Sequence, residues 1–168
     1  PACGEAVEKE QAELGAYRCV NALCAAQLMR QVLHFGSRAA MDIEGLGEAV
    51  VEALIEQKRI RDVGDLYRLT QADLLELPLF GPKKADNLLQ AIAASKQRGL
   101  ERLLFGLGFR HVGEKVAWVL ARRFGSLPAL AEASAEDMQA VDEIGPVIAQ
   151  SLAAALKQTR VRDLIKRL

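Results

Sequence analysis

One short pattern recurs through most of this chain: a leading residue, a large apolar residue, glycine, then glutamate or proline, followed by an amphipathic run. Its four copies are Gly45-Leu46-Gly47-Glu48, Leu79-Phe80-Gly81-Pro82, His111-Val112-Gly113-Glu114 and Glu143-Ile144-Gly145-Pro146, so the second glycines at 47, 81, 113 and 145 are almost evenly spaced. A fixed period of this length means a fold assembled from repeated supersecondary units. A longer duplication lies over it, because residues 62–92 align with 126–156 at an offset of 64. Leu66 then matches Leu130, Asp73 matches Asp137, Gly81-Pro82 matches Gly145-Pro146, and Ala85, Leu88 and Ala91 match Ala149, Leu152 and Ala155. The unit is therefore two hairpins, present twice.

Each hairpin reads as helix, tight turn, helix. Thr70-Gln71-Ala72-Asp73 and Ser134-Ala135-Glu136-Asp137 place a hydroxyl three residues before a carboxylate, the arrangement of a capping box. Pro82 and Pro146 fall in the first turn of a second helix, where a missing N–H costs nothing. The sets Leu46, Val50, Val51, Leu54, Ile55, then Ala85, Leu88, Leu89, Ile92, then Val116, Leu120, Phe124 each form one apolar stripe. Aromatic residues make up 5% of the 168 residues while 51% are hydrophobic, so the chain has enough apolar material for a core and little preference for strands. The expected class is mostly α.

The start of the chain, as far as Cys24, is different. It holds every cysteine of the chain, Cys3, Cys19 and Cys24. An odd number of thiols with no sign of an oxidising compartment favours metal ligation over disulfides, and thiolates suit tetrahedral zinc. A closed site needs four ligands. Pro1-Ala2-Cys3-Gly4 reads as the end of a Cys-Pro-x-Cys-Gly knuckle, so the fourth cysteine is expected immediately before Pro1 and the chain is expected to be a fragment. Two other readings stay open: His34 as fourth ligand, and small buried thiols without metal. The expected division is a zinc finger over 1–28 and hairpin pairs over 29–98 and 99–168.

The turns suggest a chemistry. A glycine there can take positive φ and leaves no Cβ in the way, so backbone N–H groups can face outward beside a helix N-terminus, which is an anion site of phosphate size. The second turn adds Lys83 and Lys84 and the third adds Arg110, His111 and Lys115, so these two are expected to bind phosphate best. The first is flanked by Glu44 and Glu48, with Arg38 near. The fourth has Asp142, Glu143 and Val147, which suits packing on a sister hairpin better. His111 and Glu143 stand where a first glycine is expected, so those turns are expected to be wider.

Whole-chain charge argues for no particular partner, since 22 basic residues balance 22 acidic ones. No apolar run approaches the roughly 18 residues a membrane span needs, and the start lacks the layout of a signal peptide, so a soluble intracellular protein is the expectation.

Paired helix-hairpin-helix units resemble a device that holds the sugar-phosphate backbone of duplex DNA without reading its sequence. The segment Cys19 to Gln27, the run His34-Phe35-Gly36-Ser37-Arg38-Ala39-Ala40-Met41-Asp42-Ile43-Glu44-Gly45-Leu46-Gly47, the run Asp65-Leu66-Tyr67-Arg68-Leu69 and the run Leu107-Gly108-Phe109-Arg110-His111-Val112-Gly113 narrow this further. Together they resemble, over the whole chain, the C-terminal half of bacterial NAD-dependent DNA ligases without the BRCT domain. The resemblance implies a parent enzyme that seals nicks in replication and repair with NAD and Mg. It implies a cytoplasmic, nucleoid-associated setting, partners that are nicked duplex DNA and the other ligase domains, and structural zinc on Cys3, Cys19 and Cys24. The implied DNA contacts are Arg38, Gly45, Gly47, Gly81, Lys83, Lys84, Arg110, His111, Gly113, Lys115 and Gly145. No catalytic residue is expected here: Lys84-Ala85-Asp86-Asn87 lacks the glycine of the Lys-x-Asp-Gly nucleotidylation motif, and Gly106-Leu107-Gly108 has neither the spacing nor the strand of a dinucleotide fingerprint. The competing readings are a protein-docking module with little DNA affinity, and the C-terminal module of an excision nuclease, against which the finger argues.

Overall fold

The computed structural model describes residues 3–4, 7–9, 17–19, 24–78 and 80–168, with the backbone alone at 8, 9, 18 and 19. Leu79 and most of residues 1–23, where a zinc finger is expected, therefore lie outside the described residues. Two short strands, β1 (Val7–Lys9) and β2 (Tyr17–Cys19), pair antiparallel with Val7 opposite Cys19.

From Ala25 onward the described chain is helical. Each of the four turns lies between two helices: α1 (Ala25–Gly36) and α2 (Glu48–Glu56), α3 (Gln71–Leu75) and α4 (Pro82–Ser95), α5 (Leu100–Gly106) and α6 (Glu114–Phe124), and α8 (Ala135–Gln139) and α9 (Pro146–Leu156). A 3-10 helix, Val63–Arg68, precedes α3, and α7 (Leu127–Glu132) precedes α8 in the matching place of the second copy. The duplication thus extends to the connecting turns. Both capping boxes form: Thr70 and Ser134 accept from the N–H groups of Asp73 and Asp137, whose carboxylates accept back from the cap N–H groups. The matched pairs Leu66 and Leu130, Ala85 and Ala149, and Leu88 and Leu152 are all buried.

Two clusters of buried residues result. Phe35, Leu54, Leu66, Leu74 and Leu88 centre the first, and Leu104, Leu120, Leu130, Met138, Leu152 and Leu156 the second. Burying a side chain of this size contributes about 1.5–3 kcal/mol, so each cluster holds its pair of hairpins together.

The clusters are tied to each other at two places. At the first, α5 crosses α1 at Gly106, where a Cβ would stand 3.2 Å from both Ala40 Cβ and Phe35 Cδ2. His34 Nε2 donates to the Phe105 carbonyl at 2.8 Å, Arg102 Nε donates to the Ala40 carbonyl at 2.6 Å and its Nη2 to the Arg38 carbonyl, and Arg98 pairs with Asp42 at 2.7 Å. At the second, α10 (Thr159–Arg167) lays Leu164 on the first cluster and Val161 and Ile165 on the second. Arg167 there bonds Asp62 with one Nη and Asp65 with the other, the latter at 2.9 Å.

Candidate functional site

All three fully described turns share one construction. Leu46, Val112 and Ile144 donate their N–H to the carbonyls of Ile43, Phe109 and Val141, at 3.3, 3.1 and 3.1 Å, and Phe80 donates to Leu77 in the same way at 3.3 Å. The third residue of the turn carries positive φ: 87° at Gly45, 64° at His111 and 71° at Glu143. The expectation of wider turns at His111 and Glu143 is therefore corrected. A residue with a Cβ can enter the left-handed region at modest cost, and the closing hydrogen bond keeps the turn tight.

A second correction concerns the glycines at 47, 81, 113 and 145. They are the N-caps of α2, α4, α6 and α9, with φ between −98° and −76° and ψ between 168° and 179°. That is extended backbone open to any residue. A Cβ added at any of the four meets nothing within 4 Å among the described residues. Neither conformation nor packing against the described residues requires glycine there.

The other helix starts are of both kinds. The 3-10 helix, α3, α7 and α8 are capped by the side chains of Asp62, Thr70, Ser126 and Ser134, whereas the four helices that follow the turns, like α1, α5 and α10, have no side-chain cap. The first N–H groups of a helix have no partner within it, and the helix dipole makes that end electropositive. Each of these turns thus presents open donors, with no Cβ above them, to a ligand that must come close.

The cations are distributed unevenly, as the sequence suggests. Lys83 and Lys84 are exposed at the start of α4, with Lys84 Nζ 4.3 Å from the centroid of the Phe80 ring. Arg110 and His111 are exposed in the third turn. Lys115 is also exposed, but its Nζ is 2.6 Å from Glu143 of the fourth turn. Arg38 is exposed before the first turn, its carbonyl held by Arg102. Glu44 and Glu48 stand beside Gly45 and Gly47, and Val147 is 65% exposed at the start of α9.

Each pair places one turn against the second helix of its sister unit. Glu44 and Gly45 share a groove with Phe80, Lys84 and Asn87, while Asp142 and Glu143 share one with Trp118, Arg122 and Arg123. Arg122 stacks over the Trp118 ring at 4.8 Å. Sequence reasoning misses Trp118, although a tryptophan standing off the Val116-Leu120-Phe124 stripe is a legible sign of an exposed aromatic. It also misses Arg102, for which the local pattern offers no sign.

Among the described residues two carboxylates are perturbed, both by capping. The Thr70 side chain and backbone, with Arg59 nearby, hold Asp73 below its ordinary value, and the Ser134 backbone and side chain do the same for Asp137. Burial pushes the Tyr67 hydroxyl up, against the opposing hydrogen bond to Ser95. These shifts belong to helix ends and core.

Of the cysteines, Cys3 is half-buried and Cys24 is buried at the N-cap of α1, while the side chain of Cys19 lies outside the described residues. Among the described residues no three His, Cys, Asp or Glu side chains come together as a metal site. His34 has Nε2 committed to Phe105, which leaves Nδ1. Lys84-Ala85-Asp86-Asn87 lies within α4, with Asp86 accepting from Gln71 at 2.7 Å, and Gly106-Leu107-Gly108 follows a helix. Among the described residues no helix is long and apolar enough to cross a membrane.

Two family models match the chain: one described as a SAM-like helix-hairpin-helix tandem over residues 37–94, and one described as a helix-hairpin-helix motif over residues 102–165. Over its full length the chain is 47% identical to a protein named DNA ligase from Macrococcus caseolyticus and 45% identical to one from Endomicrobium trichonymphae. A protein of the same name from Roseiflexus castenholzii is 48% identical, again over the full chain. The chain spans 23–25% of the length of these relatives.

Proposed function

We propose that this chain is part of a DNA ligase of the bacterial NAD-dependent class, and that its share of the work is to hold duplex DNA by the backbone. The observation that carries the reading is the set of four exposed or half-exposed N-cap glycines that the fold itself does not require. A phosphodiester oxygen seated on the N–H groups of Gly81 or Gly113 and the residues after it would come too close for a Cβ, and it would meet the positive end of a helix. Lys83, Lys84 and Arg110 supply charge at the second and third turns. Because the donors are backbone groups, the contact is indifferent to base sequence. The first and fourth turns, with acidic neighbours and with Glu143 on Lys115, add N–H groups and hold the sister helix in place.

The parent enzyme is proposed to seal nicks in replication and repair on the nucleoid DNA of the bacterial cytoplasm, using NAD and Mg bound by its other domains. Structural zinc is proposed on Cys3, Cys19, Cys24 and a fourth ligand. The donor chemistry fits: soft thiolates suit zinc, and one of them, Cys24, is buried. When bound, zinc would fix the finger's fold. Equimolar zinc in the parent protein, lost when Cys24 is replaced by Ser, supports this, whereas a correctly folded zinc-free protein refutes it.

Fluorescence anisotropy with nicked and intact duplexes of several sequences, over a range of salt, tests the main reading. Binding should be independent of sequence and should weaken when Lys83, Lys84 and Arg110 are changed to Ala. With two to four phosphates engaged, log K should fall against log salt with a slope of about −2 to −4. A folded chain that ignores duplex DNA at low salt would overturn it.

A further inference from the structure

Among the described residues, a group of exposed cations without ion-pair partners lies away from the turns, beyond the C-terminal end of α2. There the Lys58 N–H donates to Ile55 at 2.9 Å and the Arg59 N–H to Leu54 at 2.8 Å, with Lys58 at φ 56°. Helices commonly end this way on glycine, so lysine occupies the position at a conformational cost. Lys58, Arg59, Arg61, Arg68, Asp65 and Asp73 line a cavity of about 340 Å³.

Both carboxylates in that wall are already engaged. Asp73 accepts from Arg59 Nη1 at 2.8 Å and from Thr70, and Asp65 accepts from Arg167 Nη1 at 2.9 Å and from the Arg61 N–H at 2.8 Å. Lys58, Arg61 and Arg68 are exposed and form no ion pair among the described residues. Arg59 spends both terminal nitrogens on Asp73 and Glu76, while its Nε is buried with no hydrogen-bond partner. A helix C-terminus attracts cations and so accounts for Lys58 and Arg59, but Arg61 and Arg68 lie beyond its reach.

We propose that this pocket is a second phosphate-binding site, in which Arg61, Arg68 and Lys58 take the oxygens of a phosphate and the Arg59 Nε–H completes its hydrogen bonding toward them. The nine residues of α2 separate it from Gly47 by roughly 13 Å, so one phosphate cannot serve both places. The proposal does not depend on the turns binding DNA. The phosphate is either that of a DNA backbone reaching past the turns or that of a free nucleotide.

The test follows the arginine Nε–H signals in 1H–15N NMR spectra of the full chain during titration with inorganic pyrophosphate, AMP and a short duplex, at fixed ionic strength. The Arg59 signal should shift and saturate with pyrophosphate. The exposed double variant Arg61→Ala/Arg68→Ala, whose fold is checked by its amide spectrum, should bind at least tenfold more weakly. If AMP shifts the signal and the duplex does not, the site takes a free phosphate. If the duplex shifts it even when Gly81 and Gly113 carry aspartate, the site takes a backbone phosphate. No saturating shift with any of the three probes, or equal affinity in the double variant, overturns the proposal.

Discussion

His111 and Glu143 hold φ of 64° and 71° in the turn position that Gly45 fills at 87°. A side chain there costs about 1 kcal/mol relative to glycine. Glu143→Gly is therefore expected to raise stability by about 0.5–1 kcal/mol in urea unfolding, since the exposed pair with Lys115 returns little. The same change releases Lys115 and should tighten duplex binding at low salt, which anisotropy would read. Gly106 is the opposite case. Its missing Cβ lets α5 lie on Phe35 and Ala40, so Gly106→Val is expected to destabilise by about 1–3 kcal/mol in the same assay.

At the level of elements, the two capping boxes are the most legible feature of the sequence, because a hydroxyl three residues ahead of a carboxylate has one efficient local use. Thr70→Ala and Ser134→Ala should each cost about 1 kcal/mol. Asp73 and Asp137 titrate below their ordinary values in the folded chain. Their contribution is therefore complete above the unfolded carboxylate pKa of about 4 and fades as pH falls through the lower folded values. Stability measured against pH should flatten in that acid window when both hydroxyls are removed. The hairpins, the apolar stripes and the duplication are equally readable, since each rests on spacing within one unit. The residue that carries the positive φ is not. Gly47, Gly81, Gly113 and Gly145 look like the turn's flexible residues in the sequence, and only the backbone geometry shows them at the N-cap, two residues after the positive-φ position in the turns at 45, 111 and 143.

For the whole molecule, the relation between the two hairpin pairs depends on contacts that link residues far apart in sequence. Arg102 reaching Ala40, His34 reaching Phe105 and Arg167 reaching Asp62 and Asp65 join segments separated by 62 to 105 residues, beyond any local pattern. Arg102→Ala is expected to raise amide exchange over residues 37–42 while leaving α3 and α4 protected, because it frees the loop before the first turn and little else. The electrostatics are also a matter of placement. A net charge of zero conceals exposed cations at the second and third turns, acidic residues at the first and fourth, and the unpaired set beyond α2. Composition averages over these, so it could not reveal them.

Glycines kept at four N-caps for a ligand and not for the fold should reveal themselves when stability and binding are separated. The most direct measurement compares stability and duplex affinity in one variant, Gly81→Asp/Gly113→Asp. Aspartate is a better N-cap than glycine by a few tenths of a kcal/mol, and both sites have open space for it. Stability should be unchanged or slightly raised, with duplex binding weakened at least a hundredfold as a carboxylate fills each proposed phosphate position. Equal stability with undiminished binding would contradict a ligand role for these glycines, and so would loss of folding.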